Sequence, residues 1–243
     1  MRFKLPATPA GSPLARAGRY ALRVPVLLWH VLVHLPLVMI GIVLPSDRID
    51  LGGESLRDRL VRAWQGGLMR VFGMRMRKVG SPLPGATLFV AKREIDGWPL
   101  VGFMARRGET IFHQRGSQES LGGVLEAMVE RLRSGRSVGV FPEGRTRDGA
   151  EVGPFHARIF GAAVEAGVQV QPVALRYGGG ADQREVAFAP RENFAQNFLR
   201  LLGDPARVVE VVFLEPLAPG EADGRGTIAR ISRERIVAAM QEP

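Results

Sequence analysis

The run Val138-Gly139-Val140-Phe141-Pro142-Glu143-Gly144-Arg145-Thr146-Arg147-Asp148-Gly149 constrains this chain more than any other. Its β-branched, apolar start reads as a buried strand. Pro142 stops the ladder because it has no N–H to donate, and glycine tolerates the positive φ of a tight turn. Glu143 and the basic and hydroxyl groups after it are thereby set just past the carboxyl end of a strand. Open α/β sheets hold their ligands there. An ordinary strand-to-loop turn with solvated charges is the plainer alternative.

Strand and helix signals alternate on both sides of this run. Residues 87–91 read as a short buried strand, 98–105 as a short helix and 109–112 as a strand leading to His113, Gln114 and Arg115. Ser117 can cap a helix whose apolar face is Leu121, Val124, Leu125, Met128, Val129 and Leu132, with Gly135 closing it. Residues 155–166 predict a helix ended by Gly167. A strand follows over 168–176, in which Pro172 predicts an edge position or a break in pairing. Phe194, Phe198, Leu201 and Leu202 mark a further helix, 208–214 a strand and 227–240 a terminal helix. Such alternation argues for an α/β layer fold over residues 51–243.

The N-terminal 50 residues are of another kind. Residues 1–23 carry Arg2, Lys4, Arg16, Arg19 and Arg23 among three prolines and read as a flexible basic leader. Residues 24–44 then run for 21 positions without a charge, 16 of them Val, Leu, Ile, Met or Trp. That is long enough to span roughly 30 Å of hydrocarbon as a helix. Pro25, Pro36, His30 and His34 make a straight crossing less comfortable. With basic residues on both flanks, a kinked or re-entrant anchor with both ends cytoplasmic fits at least as well. His30 and His34 have i,i+4 spacing but no third ligand nearby, so they read as interfacial polar tips and no metal is expected. Residues 55–76 predict an amphipathic helix, with Leu56, Leu60, Val61, Trp64, Leu68 and Met69 on one face and Arg57, Arg59, Arg62 and Arg70 on the other. It suits an anionic membrane surface or an ordinary core equally.

Charge narrows the partners. The formal net charge is +9, and 30 of the 33 basic residues are arginine. A guanidinium fork binds phosphate bidentately, which favours anionic lipid or nucleotide. Nucleic acid is not expected, because the basic residues are spread over the chain with no basic–aromatic stripe. The chain has no cysteine, which excludes thiolate catalysis and Cys-ligated metal.

Several segments in order carry a family resemblance. Phe89-Val90-Ala91-Lys92 followed by Trp98-Pro99-Leu100-Val101-Gly102, then Gly108, Phe112 and Arg115, then Phe141-Pro142-Glu143-Gly144, then Val170, Pro172 and Val173 resemble the motif blocks of the glycerophosphate and lysophosphatidic acid acyltransferases. The matching part is 86–177. The resemblance implies a mixed sheet flanked by helices behind an N-terminal membrane-anchoring helical segment. It implies an acyl group moved from acyl-CoA or acyl carrier protein, with no cofactor, to lysophosphatidic acid or a similar lysolipid at the cytoplasmic face of the cell membrane. Arg115, Glu143, Gly144, Arg145, Arg147 and Pro172 would form the acceptor site.

One motif of that family is absent. Its catalytic pair is His, four residues, Asp, the His acting as base and the Asp holding its tautomer, as in serine hydrolases. Five positions after His30, His34, His113 and His156 stand Leu35, Met39, Gln118 and Gly161. The segment's expected place is at the Ala91–Lys92 junction, as though one strand–turn–helix unit were missing. His113 is a substitute base at best, and a histidine beside a strand end is more often structural. The sequence thus leaves three readings open: an impaired acyltransferase, a non-catalytic lysolipid-binding protein of the same fold, or a basic peripheral membrane protein.

Overall fold

Val138–Val140 forms the strand that the organising run demands, last in the order of the described strands. The computed structural model describes residues 12–43, 49, 50, 52, 55–91, 118–143, 152–177, 189 and 191–241. Among them the strands are β1 (Met74–Val79), β2 (Thr87–Ala91), β3 (Val138–Val140), β4 (Gln169–Tyr177) and β5 (Arg207–Phe213), in the order β1-β5-β4-β2-β3. β1 runs parallel to β5, and β2 runs parallel to both β3 and β4. β4 and β5 are antiparallel, so the sheet is mixed. The expected strand 109–112 and helix 98–105 lie outside the described residues.

Side chains alternate between the sheet's two faces, and each face has its own cover. Leu88, Val90, Val138, Val140 and Val170 point one way. They pack on Val124, Met128, Val129 and Leu132 of α4 (Gln118–Arg133) and on Ile228 and Ala229 of α7 (Gly224–Gln241). Met74, Tyr177 and Val209 point the other way. They meet Trp64 and Leu68 of α3 (Leu56–Val71) and Leu201 and Leu202 of α6 (Phe194–Gly203). Three ionic side chains meet on the first face. Glu210, fully buried, lies between Arg77 and Arg176, with Arg176 Nη2 at 2.8 Å. Arg176 Nη1 also donates to the Ala239 carbonyl near the end of α7, at 3.2 Å. A buried carboxylate persists because it is paired and hydrogen-bonded.

Of the two expectations for Pro172, the break in pairing holds and the edge position does not: β4 is an interior strand, paired with β2 on one side and β5 on the other. The antiparallel register stops at Val173↔Phe213, so Pro172 faces Leu214 at the next rung. Leu214 N–H still donates to the Pro172 carbonyl at 3.0 Å. The return bond is missing, and Gln171 Nε2 donates to the Leu214 carbonyl instead, at 3.1 Å. A neighbouring side chain thus restores what the ring removes. Gln171 also holds the loop before β2, through Leu83 N–H and the Ser81 carbonyl.

Three further expectations change. The amphipathic helix stops at Val71, because Gly73 turns the chain at φ +70° and the alternating Met-Arg-Met-Arg-Lys-Val becomes β1. The helix expected over 155–166 begins as a 3-10 turn (Ala157–Phe160), continues as α5 (Gly161–Ala166) and ends at left-handed Gly167. The supposed flexible leader is helical from Pro13: Ser12 Oγ accepts from Ala15 N–H, and α1 (Pro13–Trp29) starts with proline at its first position. Its basic side chains are engaged. Arg19 Nε donates to the Gly203 carbonyl at 2.6 Å, Arg23 Nη1 to the Leu202 and Asp204 carbonyls, and Tyr20 O–H to the Leu199 carbonyl. The Leu202 and Gly203 carbonyls are among the last of α6, which lack an i+4 partner within the helix, and cations also suit its negative pole.

A π-turn at His30–His34 joins α1 to α2 (Leu35–Val43). The histidines are not both interfacial tips. His30 is 3% exposed and stacks on Trp64 with ring centroids 5.3 Å apart. Its Nε2–H donates to the Trp64 carbonyl at 3.0 Å, and its Nδ1 accepts from His34 Nδ1–H at 3.0 Å. The glycine at 67 permits this approach, since a Cβ there would stand 2.5 Å from His30 Cε1.

The loop entering α6 carries a pH-dependent element. Glu192 accepts from Arg200 Nε and Nη2, from Ala189 N–H and from Asn197 Nδ2–H. The Arg200 bonds above all hold its carboxyl down at about 2, against an ordinary 4.5. A depressed folded-state value means stability that is present above 4.5 and lost as pH falls toward 2. Glu192→Gln is expected to lower Tm by roughly 2–4 °C at pH 7, after allowance for solvent screening. The gap should narrow as pH falls below 4.5 and close only near pH 2; a constant gap from pH 7 to pH 2 counts against the assignment.

Candidate functional site

β2, β3 and β4 run parallel, so their carboxyl ends share one rim of the sheet. Val90 is paired with both Val140 and Pro172, which sets those three residues at one level across three strands. β2 stops one residue later at Ala91. Beyond Val140, Phe141 turns outward and is 52% exposed, whereas Pro142 and Glu143 turn in. Glu143 is 5% exposed, a carboxylate buried at the strand rim.

The chain returns to this rim at Val152 and is fastened there. His156 N–H donates to the Pro142 carbonyl at 2.9 Å, which closes the turn between the two. Arg233 of α7 donates from Nε to the Gly153 carbonyl at 2.9 Å and from Nη2 to the Val152 carbonyl at 2.7 Å. Val152 packs beside Ala174, Ile236 and Ala239. Both described ends of the turn, Glu143 and Val152, are therefore held by hydrogen bonds and burial.

Of the expected site residues, the structure places Glu143 at the rim and Pro172 two strands away, level with Val140. Arg115, Gly144, Arg145 and Arg147 lie outside the described residues, as does His113. His156, read from sequence as an ordinary helical histidine, sits at the 3-10 turn's N-terminus with its side chain exposed, bonded through its backbone to the Pro142 carbonyl. His30 and His34 belong to the helices covering the other face and are engaged with Trp64 and each other, so neither approaches Glu143. Sequence reasoning missed Arg233, because nothing local distinguishes it from the other arginines of α7. Among the described residues no group of three or more His, Cys, Asp or Glu could hold a metal ion.

A mixed sheet with a buried glutamate at the rim of its parallel strands, helices on both faces and an apolar N-terminal helix defines an α/β fold of membrane-anchor type. The family model described as Acyltransferase matches residues 74–176. A lyso-ornithine lipid O-acyltransferase from Pseudomonas aeruginosa is 31% identical over 207 residues, covering 76% of this chain and 80% of the relative. A 1-acyl-sn-glycerol-3-phosphate acyltransferase from Neisseria meningitidis is 42% identical over 89 residues, 37% of this chain and 35% of that protein. The crystal structure of the 1-acyl-sn-glycerophosphate acyltransferase from Thermotoga maritima has the same fold, with a TM-score of 0.60 over 92% of this chain and 96% of that one, at 17% identity. The chain belongs to the acyltransferase family.

The Pseudomonas alignment contains a gap on this side. Its 207 positions exceed the residues that 76% of a 243-residue chain supplies, so the relative carries residues without a counterpart here. The shorter Neisseria match, 89 positions on 37% of the chain, has no such excess.

Proposed function

We propose that this chain binds a lysolipid acceptor at the rim of β2, β3 and β4, on the cytoplasmic face of the cell membrane, and that it turns the acceptor over poorly or not at all. The observation that carries the binding half is the buried Glu143 in a turn fastened at both ends, past the carboxyl end of a parallel strand. Burial of that carboxylate suits orientation of a turn or a hydroxyl. An anionic head group then needs cations and N–H donors, which Arg115, Arg145, Arg147 and the backbone of the turn supply. The same donors accept a phosphate or a carboxylate. Lyso-ornithine lipid is the better-supported acceptor, because the relative so named is similar over 76% of the chain and the glycerophosphate enzyme over 37%. Acyl-CoA or acyl carrier protein is the donor expected of a catalytic relative.

The reading is tested by equilibrium binding of lyso-ornithine lipid, lysophosphatidic acid and neutral monoacylglycerol to the detergent-purified chain. Both lipids that carry an anionic group, a carboxylate or a phosphate, should bind, and the monoacylglycerol, which carries none, should bind at least about 10-fold more weakly. Arg115→Lys keeps the charge and loses the fork, so it should weaken binding measurably. Equal affinity for all three lipids, or full affinity in Arg115→Ala, removes the proposed anion site.

A further inference from the structure

Arg233 sits 80 residues from the carbonyls it holds, on the terminal helix, and both of its hydrogen bonds go to consecutive peptide groups at one point of the chain. That point is where the turn begun at Glu143 comes back to the sheet. A guanidinium donates along fixed directions in one plane, so two bonds from one fork set both the position and the relative orientation of the Val152–Gly153 and Gly153–Pro154 peptides. The entrance is set independently, by β3 and by His156 N–H on the Pro142 carbonyl. Fixing the two ends of a short loop removes conformations that a ligand would otherwise have to select against.

We propose that Arg233 is a positioning residue for the acceptor site, holding the exit of the turn so that lysolipid affinity depends on it. The proposal rests on the reading that this turn receives the acceptor's anionic group. It does not follow from packing of α7 alone, for which a matched comparison exists. Arg235, two positions along the same helix, donates in the same manner to two backbone carbonyls, Glu215 at 2.7 Å and Pro216 at 3.2 Å. Those carbonyls follow β5 and are not part of the turn. Arg233 and Arg235 thus fasten the same helix with the same chemistry, and Arg233 alone of this pair fastens the turn.

The test compares Arg233→Ala, Arg233→Lys and Arg235→Ala in the full chain, well below the lowest Tm of the set. Two readouts are taken: affinity for lyso-ornithine lipid, and hydrogen exchange of residues 144–153 without lipid. Arg233→Ala should speed exchange across the turn and weaken binding, each by about 10-fold. Arg233→Lys should recover part of both, because an ammonium still donates to one carbonyl. Arg235→Ala should lower Tm comparably and leave both readouts within about 2-fold of the parent. Parental exchange in Arg233→Ala, or equal effects from Arg235→Ala, overturns the proposal. Should Arg233→Ala not fold, Arg233→Gln replaces it, and unchanged exchange and affinity in that variant overturn the proposal equally. If the parent chain binds no lysolipid, the acceptor site itself is wrong, and the exchange measurement still decides whether Arg233 holds the turn.

Discussion

Radiolabelled acyl transfer by this 243-residue chain, to lyso-ornithine lipid or lysophosphatidic acid, is expected to remain at background. Acyl transfer to a hydroxyl needs a base that takes the proton as the new bond forms. Of the histidines among the described residues, two are engaged with each other and Trp64 on the far side of the sheet. The third, His156, is exposed beside Pro142, with Gly161 where the motif would place its Asp. Loss of a base from a catalytic unit costs on the order of 10^4–10^6 in rate, with a residue left by binding and oxyanion donors. Inserting an Asn-His-x4-Asp segment with its helix between Ala91 and Lys92 should restore turnover by a comparable factor. Robust turnover by the uninserted chain that survives both His113→Ala and His156→Ala would overturn this account. Turnover abolished by His156→Ala alone would make that histidine a substitute base.

The order of elements was legible because the periodicities are local: β-branched runs for β2 and β3, a three-and-four apolar repeat for α4, glycines at 135 and 167 that close helices at positive φ. The end of α3 was misplaced because Met74 and Met76 continue its apolar count, while the turn at Gly73 depends on a backbone angle. The break in pairing at Pro172 was legible because a missing N–H is a local property, whereas the edge alternative treats the strand alone. The proline's interior position is tolerated because Gln171 supplies the missing donor to a carbonyl 43 residues away, which no local pattern encodes. The same limit applies at the rim. Glu143 could be found from Phe141-Pro142-Glu143-Gly144, whereas Arg233 is defined by contacts across 80 residues. The arginines of α1 mislead in the opposite direction: as a basic stretch among prolines they read as a solvated leader, yet they cap α6.

That docking changes the experiment that tests the membrane anchor. Sequence alone predicts that deleting residues 1–50 frees a soluble domain. The inner face of α1 and α2, however, covers part of the core formed by Trp64, Leu68, Leu201 and Leu202, so deletion would expose it. The outward face is the informative target. Leu22, Val26, Trp29, Val33, Leu37 and Ile40 recur at three and four and are 71%, 46%, 56%, 43%, 60% and 61% exposed. The 31-residue helical stretch Pro13–Val43 leans on α6 near its start and on α3 toward its end. A helix flanked by a polar domain along its length suits the bilayer interface better than a crossing. The intact chain is therefore expected to sediment with vesicles and to resist both high salt and carbonate. Trp29→Glu, Val33→Glu and Ile40→Glu combined should move it to the supernatant with Tm nearly unchanged, because none of the three is buried. Each apolar side chain contributes ~2 kcal/mol to partitioning, so the triple change should reduce it on the order of 10^3-fold or more. Release of the parent by salt alone would make the attachment electrostatic. Retention of the triple variant on vesicles would show that the outward stripe is not the membrane-facing surface.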